Sequence, residues 1–438
     1  MKLAQSPRRE KVRVLIPGLR WWILALIFTI TCINYIDRSS IGLLVTDFGP
    51  RIGITKELYG NVATVLLFAY TISQAVSGRL YDRFGARIGF SVSIVLWCVA
   101  AMTHAFITGY VSFAICSFFL GLGEAGNWPG AAKVIAEWFP QRERAIGMAV
   151  FNSGASMGGV LAPLLVARWL DPAVGWRNTF LIVGSLGFFW LALWLLFYRP
   201  VNRHPRLTPL EREHIELGHT SSTYLPAPPL LHLLKLRQVW GILIARFLVD
   251  PVWWLYMLWL PTYLKDARHL DIKAIGAAAW APYLAAAVGA LFGGWLAGRL
   301  IRASFSVNTS RWVVIGIAAC MMPFGIFAAH AATTVHALEC IAVVLFGFQM
   351  WISNVQTLPS DYFPTNAVGT VAGMGGMAAG LASIFFIHYT AAMVNHFSYN
   401  FVLTIAGAVA PVAAVLLFFI AGPIHRIELA TGKLVTGN

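Results

Sequence analysis

The 438-residue chain is 58% hydrophobic and only 11% charged, a composition that excludes a water-soluble globule and makes the bilayer its expected solvent. Its 32 Lys and Arg against 18 Asp and Glu leave a formal charge of +14. That excess would suit nucleic acid, but most of the basic residues gather in loops on one side of the membrane, so lipid and not nucleic acid is the expected partner.

Each helical crossing needs about 20 mostly apolar residues. After a basic tail over 1–20, such spans lie near 21–45, 59–78, 88–107, 109–132, 145–168 and 176–198, and, beyond a polar gap at 199–237, near 238–264, 274–298, 311–331, 335–358, 367–390 and 399–421, with a tail over 422–438. The predicted fold is an all-α membrane protein of twelve transmembrane helices in two pseudo-symmetric six-helix bundles, 21–198 and 238–421. The basic bias places both termini and the 199–237 linker in the cytoplasm. The first span is too long, and too polar at Asp37-Arg38, for a cleaved signal peptide, so it should remain in the mature chain. Cys32, Cys98, Cys116, Cys320 and Cys340 lie in or beside apolar spans without metal-ligand spacing and read as small core residues.

Span one carries Asn34-Tyr35-Ile36-Asp37-Arg38. A charge near the bilayer centre costs roughly 2.5–3.5 kcal/mol on insertion scales, so Asp37 and Arg38 mark a proton or anion pathway by default. The Arg38 guanidinium is a planar fork that can hold a carboxylate by two hydrogen bonds, which makes it the first-choice anchor for an anion. Asn34 and Tyr35 lie four and three residues earlier and share its helical face; Asp37 points about 100° away and can titrate separately.

Between spans two and three the chain reads Gly78-Arg79-Leu80-Tyr81-Asp82-Arg83-Phe84-Gly85-Ala86-Arg87. This resembles the loop signature of the major facilitator superfamily. The resemblance implies a gate in which Gly78, Asp82, Arg83, Gly85 and Arg87 take part, with Asp82 accepting from neighbouring arginines and helix-terminal amides as a cytoplasmic latch. The second-half counterpart, Gly294-Trp295-Leu296-Ala297-Gly298-Arg299, has no acid where Gly298 stands, which puts a matching latch there in doubt.

Span four holds Glu124 alone in Gly121-Leu122-Gly123-Glu124-Ala125-Gly126. With Asn34-Tyr35-Ile36-Asp37-Arg38 and Phe68-Ala69-Tyr70, it resembles the anion:cation symporters that carry organic anions, notably sugar acids. Gly126-Asn127-Trp128-Pro129-Gly130 and Asp250-Pro251-Val252-Trp253-Trp254-Leu255-Tyr256 narrow the likeness to bacterial hexuronate transporters. That likeness implies import of galacturonate or glucuronate with protons across the inner membrane. Members of the wider family often carry an arginine where this chain has Ser117, so Glu124 is expected to lack that cationic neighbour.

The linker, with Pro200, Pro205, Pro209, Glu211-Arg212-Glu213 and Pro226-Ala227-Pro228-Pro229, joins the halves. The echo of Trp138-Phe139-Pro140-Gln141-Arg142 in Tyr362-Phe363-Pro364-Thr365-Asn366 suggests duplication. Parallel halves around a central site suit rocking-type alternating access.

Pocket walls are sought among Tyr70, Trp128, Trp254 and Tyr256, since aromatic faces stack on sugar rings, with Asn127 a further substrate-binding candidate beside Trp128 and with Gln349 and Asn354 of span ten, which could bond sugar hydroxyls. Asp37 and Glu124 are the candidate proton carriers: burial favours the neutral carboxyl and Arg38 the charged one, so an anion that occupies Arg38 would promote proton uptake. Arg246 and Asp250, four apart, read as an intrahelical ion pair. His388 invites a proton-shuttle role, although hydrogen-bonded packing explains it better. Neither an ATPase phosphate loop nor a His-Glu-x-x-His zinc motif is present, so enzymatic catalysis, metal and cofactors are not expected, and the proton gradient is the expected energy source. A monomeric importer of a small organic anion is the leading expectation; an aldonate or aldarate carrier and a non-transporting membrane sensor are the alternatives.

Overall fold

The computed structural model describes residues 15–169, 175–216, 227–270, 280–427, 429–430 and 433–434. The helices of the first half are α1 (Leu19–Arg51), α2 (Lys56–Thr103), α3 (Tyr110–Glu124), α4 (Asn127–Trp138), α5 (Arg144–Trp169) and α6 (Gly175–Phe197). Two short helices, α7 (Pro209–Glu216) and α8 (Leu230–Leu234), lie in the linker. The second half holds α9 (Arg237–Asp266), α10 (Trp280–Arg302), α11 (Val307–Met321), α12 (Phe324–His330), α13 (Thr334–Val355), α14 (Leu358–Tyr362), α15 (Thr365–His396) and α16 (Tyr399–Ala421). A two-residue antiparallel ladder pairs Leu429 with Leu434 near the C-terminus.

Among the described residues, ten helical stretches are long and apolar enough to cross a membrane. One of them, Glu57–Phe106, spans 50 residues and holds two crossings, because Gly85 adopts φ 80°, ψ 161° inside α2. Only a residue without Cβ takes that conformation freely, so the chain turns back there without leaving helix on either side. The segment 78–87 is therefore almost entirely helical and not a loop. Helices α3 and α4, each too short alone, form one further crossing interrupted at 125–126, which brings the described residues to the expected twelve. The start of span eight, 274–279, lies outside the described residues.

The interruption has a partner in the other half, where α13 and α14 break at 356–357. The sequence echo also becomes structural: Phe139 and Phe363 follow α4 and α14 at φ/ψ −118°/133° and −113°/152°, and Pro140 and Pro364 follow at −62°/153° and −67°/158°. These matched exits are a local structural echo between the two bundles. Each buries its own apolar core, one around Phe48, Phe90, Trp97 and Trp190, the other around Val249, Leu260, Val344 and Trp351.

The halves meet along two seams, α2 against α15 and α5 against α10. At the first, a Cβ on Gly78 would lie 2.1 Å from the Gly369 carbonyl oxygen, and one on Gly373 would lie 2.2 Å from that of Gln74, so backbone touches backbone. Among the described residues, the hydrogen bonds between the halves fall toward the linker face: Gln74 to Gly376, Asn152 to Gln356, Arg144 to Ser360, Arg311 to Gln141, Lys133 to Thr365, and α15 to Asp82. The linker face is closed. The linker itself docks rather than dangles, since Glu211 accepts from the Leu19 and Arg20 amides at the start of α1 (2.9 and 3.1 Å), where a carboxylate also suits the helix dipole. Of the cysteines, Cys32, Cys98 and Cys340 are buried, but Cys116 is only half-buried and Cys320 exposed, because the outer surface of a membrane bundle is itself apolar.

Candidate functional site

Arg38 donates from Nε (3.0 Å) and Nη2 (2.5 Å) to a single oxygen of Glu124, Oε2. The other Glu124 oxygen is buried with no hydrogen-bond partner. The break between α3 and α4 puts Glu124 at the last position of α3, and Ser73 supports that turn by donating to the Leu122 carbonyl oxygen at 3.0 Å. Glu124 has no cation at the Ser117 position, as expected, and pairs instead with Arg38, reached across from α1. The Ser117 position is filled instead by a neutral contact with His104 Nε2 at 3.2 Å.

The guanidinium of Arg38 lies over the Tyr70 ring (4.5 Å) and near the Tyr35 ring (5.9 Å), so two of the sequence candidates enclose the pair. Asn34 is buried, and its Nδ2 has no partner. Asp37 turns away, as its helical phase requires, and accepts from Trp97 Nε1, while its Oδ1 is left without a partner. Trp97 is a residue that the sequence did not mark, being one apolar ring among 17 tryptophans. Asn127 donates to Thr31 at 3.1 Å and ties α4 to α1. Trp128 packs its ring edge-on to Phe151 (4.9 Å) and, with Arg246, Gln356 and Gly375, lines a tight cleft between the halves that has room for little more than one water molecule.

From the second half, the Arg246–Asp250 ion pair forms as expected, Nε and Nη2 donating to Oδ2 at 3.1 and 2.6 Å. Asp250 Oδ1 and Gln349 Oε1 are buried and unpartnered. At 1.5 Å rise per residue, Asp250 lies about 20 Å from the linker-side start of its span; Gln349 and Glu124 lie about 20 Å from the linker-side ends of theirs. Polar atoms of both halves therefore share one depth.

Other candidates fall elsewhere. Tyr256 packs among Leu255, Leu260, Val402 and Leu403, inside the core of the second half, and Asn354 is consumed by Arg311, Gly293 and Met350. Neither borders the cleft between the halves that Trp128 lines. Trp254 is half-buried, while its neighbour Trp253 stacks on Phe348 at 5.8 Å. His388 is exposed beside Tyr389, which suits neither a shuttle through the interior nor core packing.

The residues expected to form a gate make other contacts than expected. Asp82 accepts from the Gly369 and Thr370 amides near the start of α15 (3.0 and 2.6 Å) and from Lys133 Nζ (3.1 Å), which also reaches the Thr365 carbonyl oxygen. The cation is Lys133, not an arginine: Arg83 is exposed over Phe84, and Arg87 donates to the Leu195 carbonyl oxygen at 2.6 Å. Lys133 was hidden at the edge of an apolar run, although Glu137 four residues on, 3.6 Å away, is the signal that could have flagged it. At the matching corner, Gly298 lets the Arg142 carbonyl oxygen approach (3.3 Å from a built Cβ), and the acid comes from Asp361 instead, paired with Arg311 at 2.8 Å and with Arg144 at 3.9 Å.

Asp82→Ala should unlatch the linker face. Three bonds to a charged group are lost at about 1.5–3 kcal/mol each, so a cysteine placed at Ala372 on the cavity wall should react at least about tenfold faster with an impermeant thiol reagent added from that face. An unchanged rate would rule the latch out.

Residues 27–387 match the model for the Major Facilitator Superfamily. The chain is 31% identical over 394 residues to the hexuronate transporter of Escherichia coli (strain K12), covering 88% of this chain and 90% of that one. It is 32% identical over 312 residues to the galacturonate transporter of Dickeya chrysanthemi, covering 70% and 90%. Among solved structures, the proton:xylose symporter XylE bound to 6-bromo-6-deoxy-D-glucose superposes with a TM-score of 0.71 at 17% identity, over 93% of this chain and 96% of that one. The twelve-span bundle, the matched exits and these likenesses together show that the chain belongs to the Major Facilitator Superfamily, a family of transporters and not of enzymes.

Proposed function

We propose that the protein is a monomeric, proton-coupled symporter that imports a hexuronate, or a sugar acid of similar shape, across the bacterial inner membrane with both termini in the cytoplasm. The observation that carries this reading is the Arg38 fork closed on one oxygen of a fully buried Glu124. A substrate carboxylate can take the fork only if Glu124 releases it. A buried carboxylate without its cation is costly, and it is relieved by binding a proton. Anion and proton therefore load together, and either one alone leaves an uncompensated charge. Asp37, held by Trp97 and apart from the pair, is a second proton carrier in this scheme. The unpartnered acceptors of Glu124, Asp250 and Gln349 suit a ligand rich in hydroxyl donors. The closed linker face corresponds to loading from the opposite side, and rocking of the halves about the α2–α15 and α5–α10 seams delivers the load to the linker side.

Proteoliposomes test this. The parent should concentrate radiolabelled galacturonate or glucuronate only under a pH gradient acidic on the loading side. Glu124→Gln, which keeps a hydrogen-bonding group but cannot ionise, should exchange label across the membrane yet fail to concentrate it. Accumulation without a gradient, or undiminished accumulation by Glu124→Gln, would remove proton coupling through this pair.

A further inference from the structure

Helix α9 carries a second ion pair, a buried acid and a half-buried cation, near the depth of the Arg38–Glu124 pair. Arg246 spends both Nε and Nη2 on one oxygen of Asp250, and the other Asp250 oxygen has no hydrogen-bond partner among the described residues. Arg246 borders the cavity that Trp128 walls from the first half, and Trp128 lies one helical turn from Glu124. Asp250 as a residue is only 8% exposed.

The two arginines are thus neutralised in different ways. Arg38 draws its acid from another helix, across a span interruption, and the partners can part when the acid is protonated. Arg246 draws its acid from the next turn of its own helix, where the spacing holds the two together whatever the halves do.

We infer that the Arg246–Asp250 pair is a specificity element of the substrate site: it accepts the uncharged, hydroxylated end of a sugar acid and rejects a second carboxylate. This rests on the proposed sugar-acid transport. A hydroxyl donor satisfies the open Asp250 oxygen. A second carboxylate meets that same oxygen as a like charge, and the guanidinium that would receive it is already taken. The ligand class is therefore a six-carbon monocarboxylate, with the dicarboxylate of the same chain length excluded.

The test is competition and uptake with labelled galacturonate and unlabelled or labelled galactarate in proteoliposomes. The parent should take up galacturonate and be competed by galactarate at least tenfold less well than by unlabelled galacturonate. In Asp250→Asn, which keeps the side-chain shape and frees Arg246, the galactarate-to-galacturonate uptake ratio should rise at least tenfold. Arg246→Gln/Asp250→Asn should lose that gain. If the parent binds both acids equally, or the ratio in Asp250→Asn stays at the parental value, the inference is overturned. The parental competition decides the matter even if the variants fail to fold. A parent that carries neither acid overturns the sugar-acid reading itself, a distinct result from one that carries both.

Discussion

Arg38→Ala is expected to abolish saturable sugar-acid uptake and to weaken galacturonate binding at least 100-fold. Two charge-assisted bonds to a carboxylate disappear together, and about 3 kcal/mol is a conservative sum for them. Arg38→Lys should recover part of the loss, ending about tenfold below the parent, because an ammonium keeps the charge but not the fork. The variant has a second signature. Removing one member of a buried pair typically costs about 3–5 kcal/mol, since the other is left uncompensated. Glu124, at 0% exposure, is that other member. Arg38→Ala should therefore melt lower in detergent at neutral pH, and Arg38→Ala/Glu124→Gln should recover stability without recovering binding. Calorimetric titration and melting curves read the two effects separately. Binding by Arg38→Ala within threefold of the parent would refute the anchor.

Gly373→Ala is expected to jam the closed arrangement of the linker face. Its Cβ would meet the Gln74 carbonyl oxygen at 2.2 Å and the Gly78 Cα at 3.2 Å, both backbone atoms of the other half. Neither can swing aside as a side chain could. Overpacking of this kind costs about 1–3 kcal/mol, and here the cost falls only on the state in which the seam is shut, because the obstruction lies across the halves and not within one. The equilibrium should shift toward the linker-open state by about 10- to 100-fold. Spin-label distances across the linker face should lengthen in the major population while those across the opposite face shorten. Distances identical to the parent would show that the seam separates for other reasons.

Much of the architecture was legible because membrane spans announce themselves by length and apolarity, and because Gly85 and the two Phe-Pro exits carry local backbone information. The Arg38–Glu124 pair was half legible. Both residues stood out as charges in apolar spans, but their partnership depended on how α1 and the broken α3–α4 span approach one another. Rotational phase was the least legible property. A helix apolar on all sides has no polar stripe to say which face turns inward. Tyr256 and Asn354 were therefore expected at the site and lie in the core of the second half, whereas Trp97 and Lys133, which no motif singled out, hold Asp37 and Asp82. The Asp361–Arg311–Arg144 cluster was missed for a related reason: its members are far apart in the chain, and no motif joins them.

The seal on the linker face is made of charges kept dry: Lys133, Arg144, Arg311 and Asp361 are each at most 4% exposed as residues, and Asp82 is 9% exposed. Parting the halves there must hydrate every one of them, so the step draws water in as well as moving helices. Crowding or osmotic concentration on the linker side, by lowering water activity, would then hold this transporter shut and throttle its turnover.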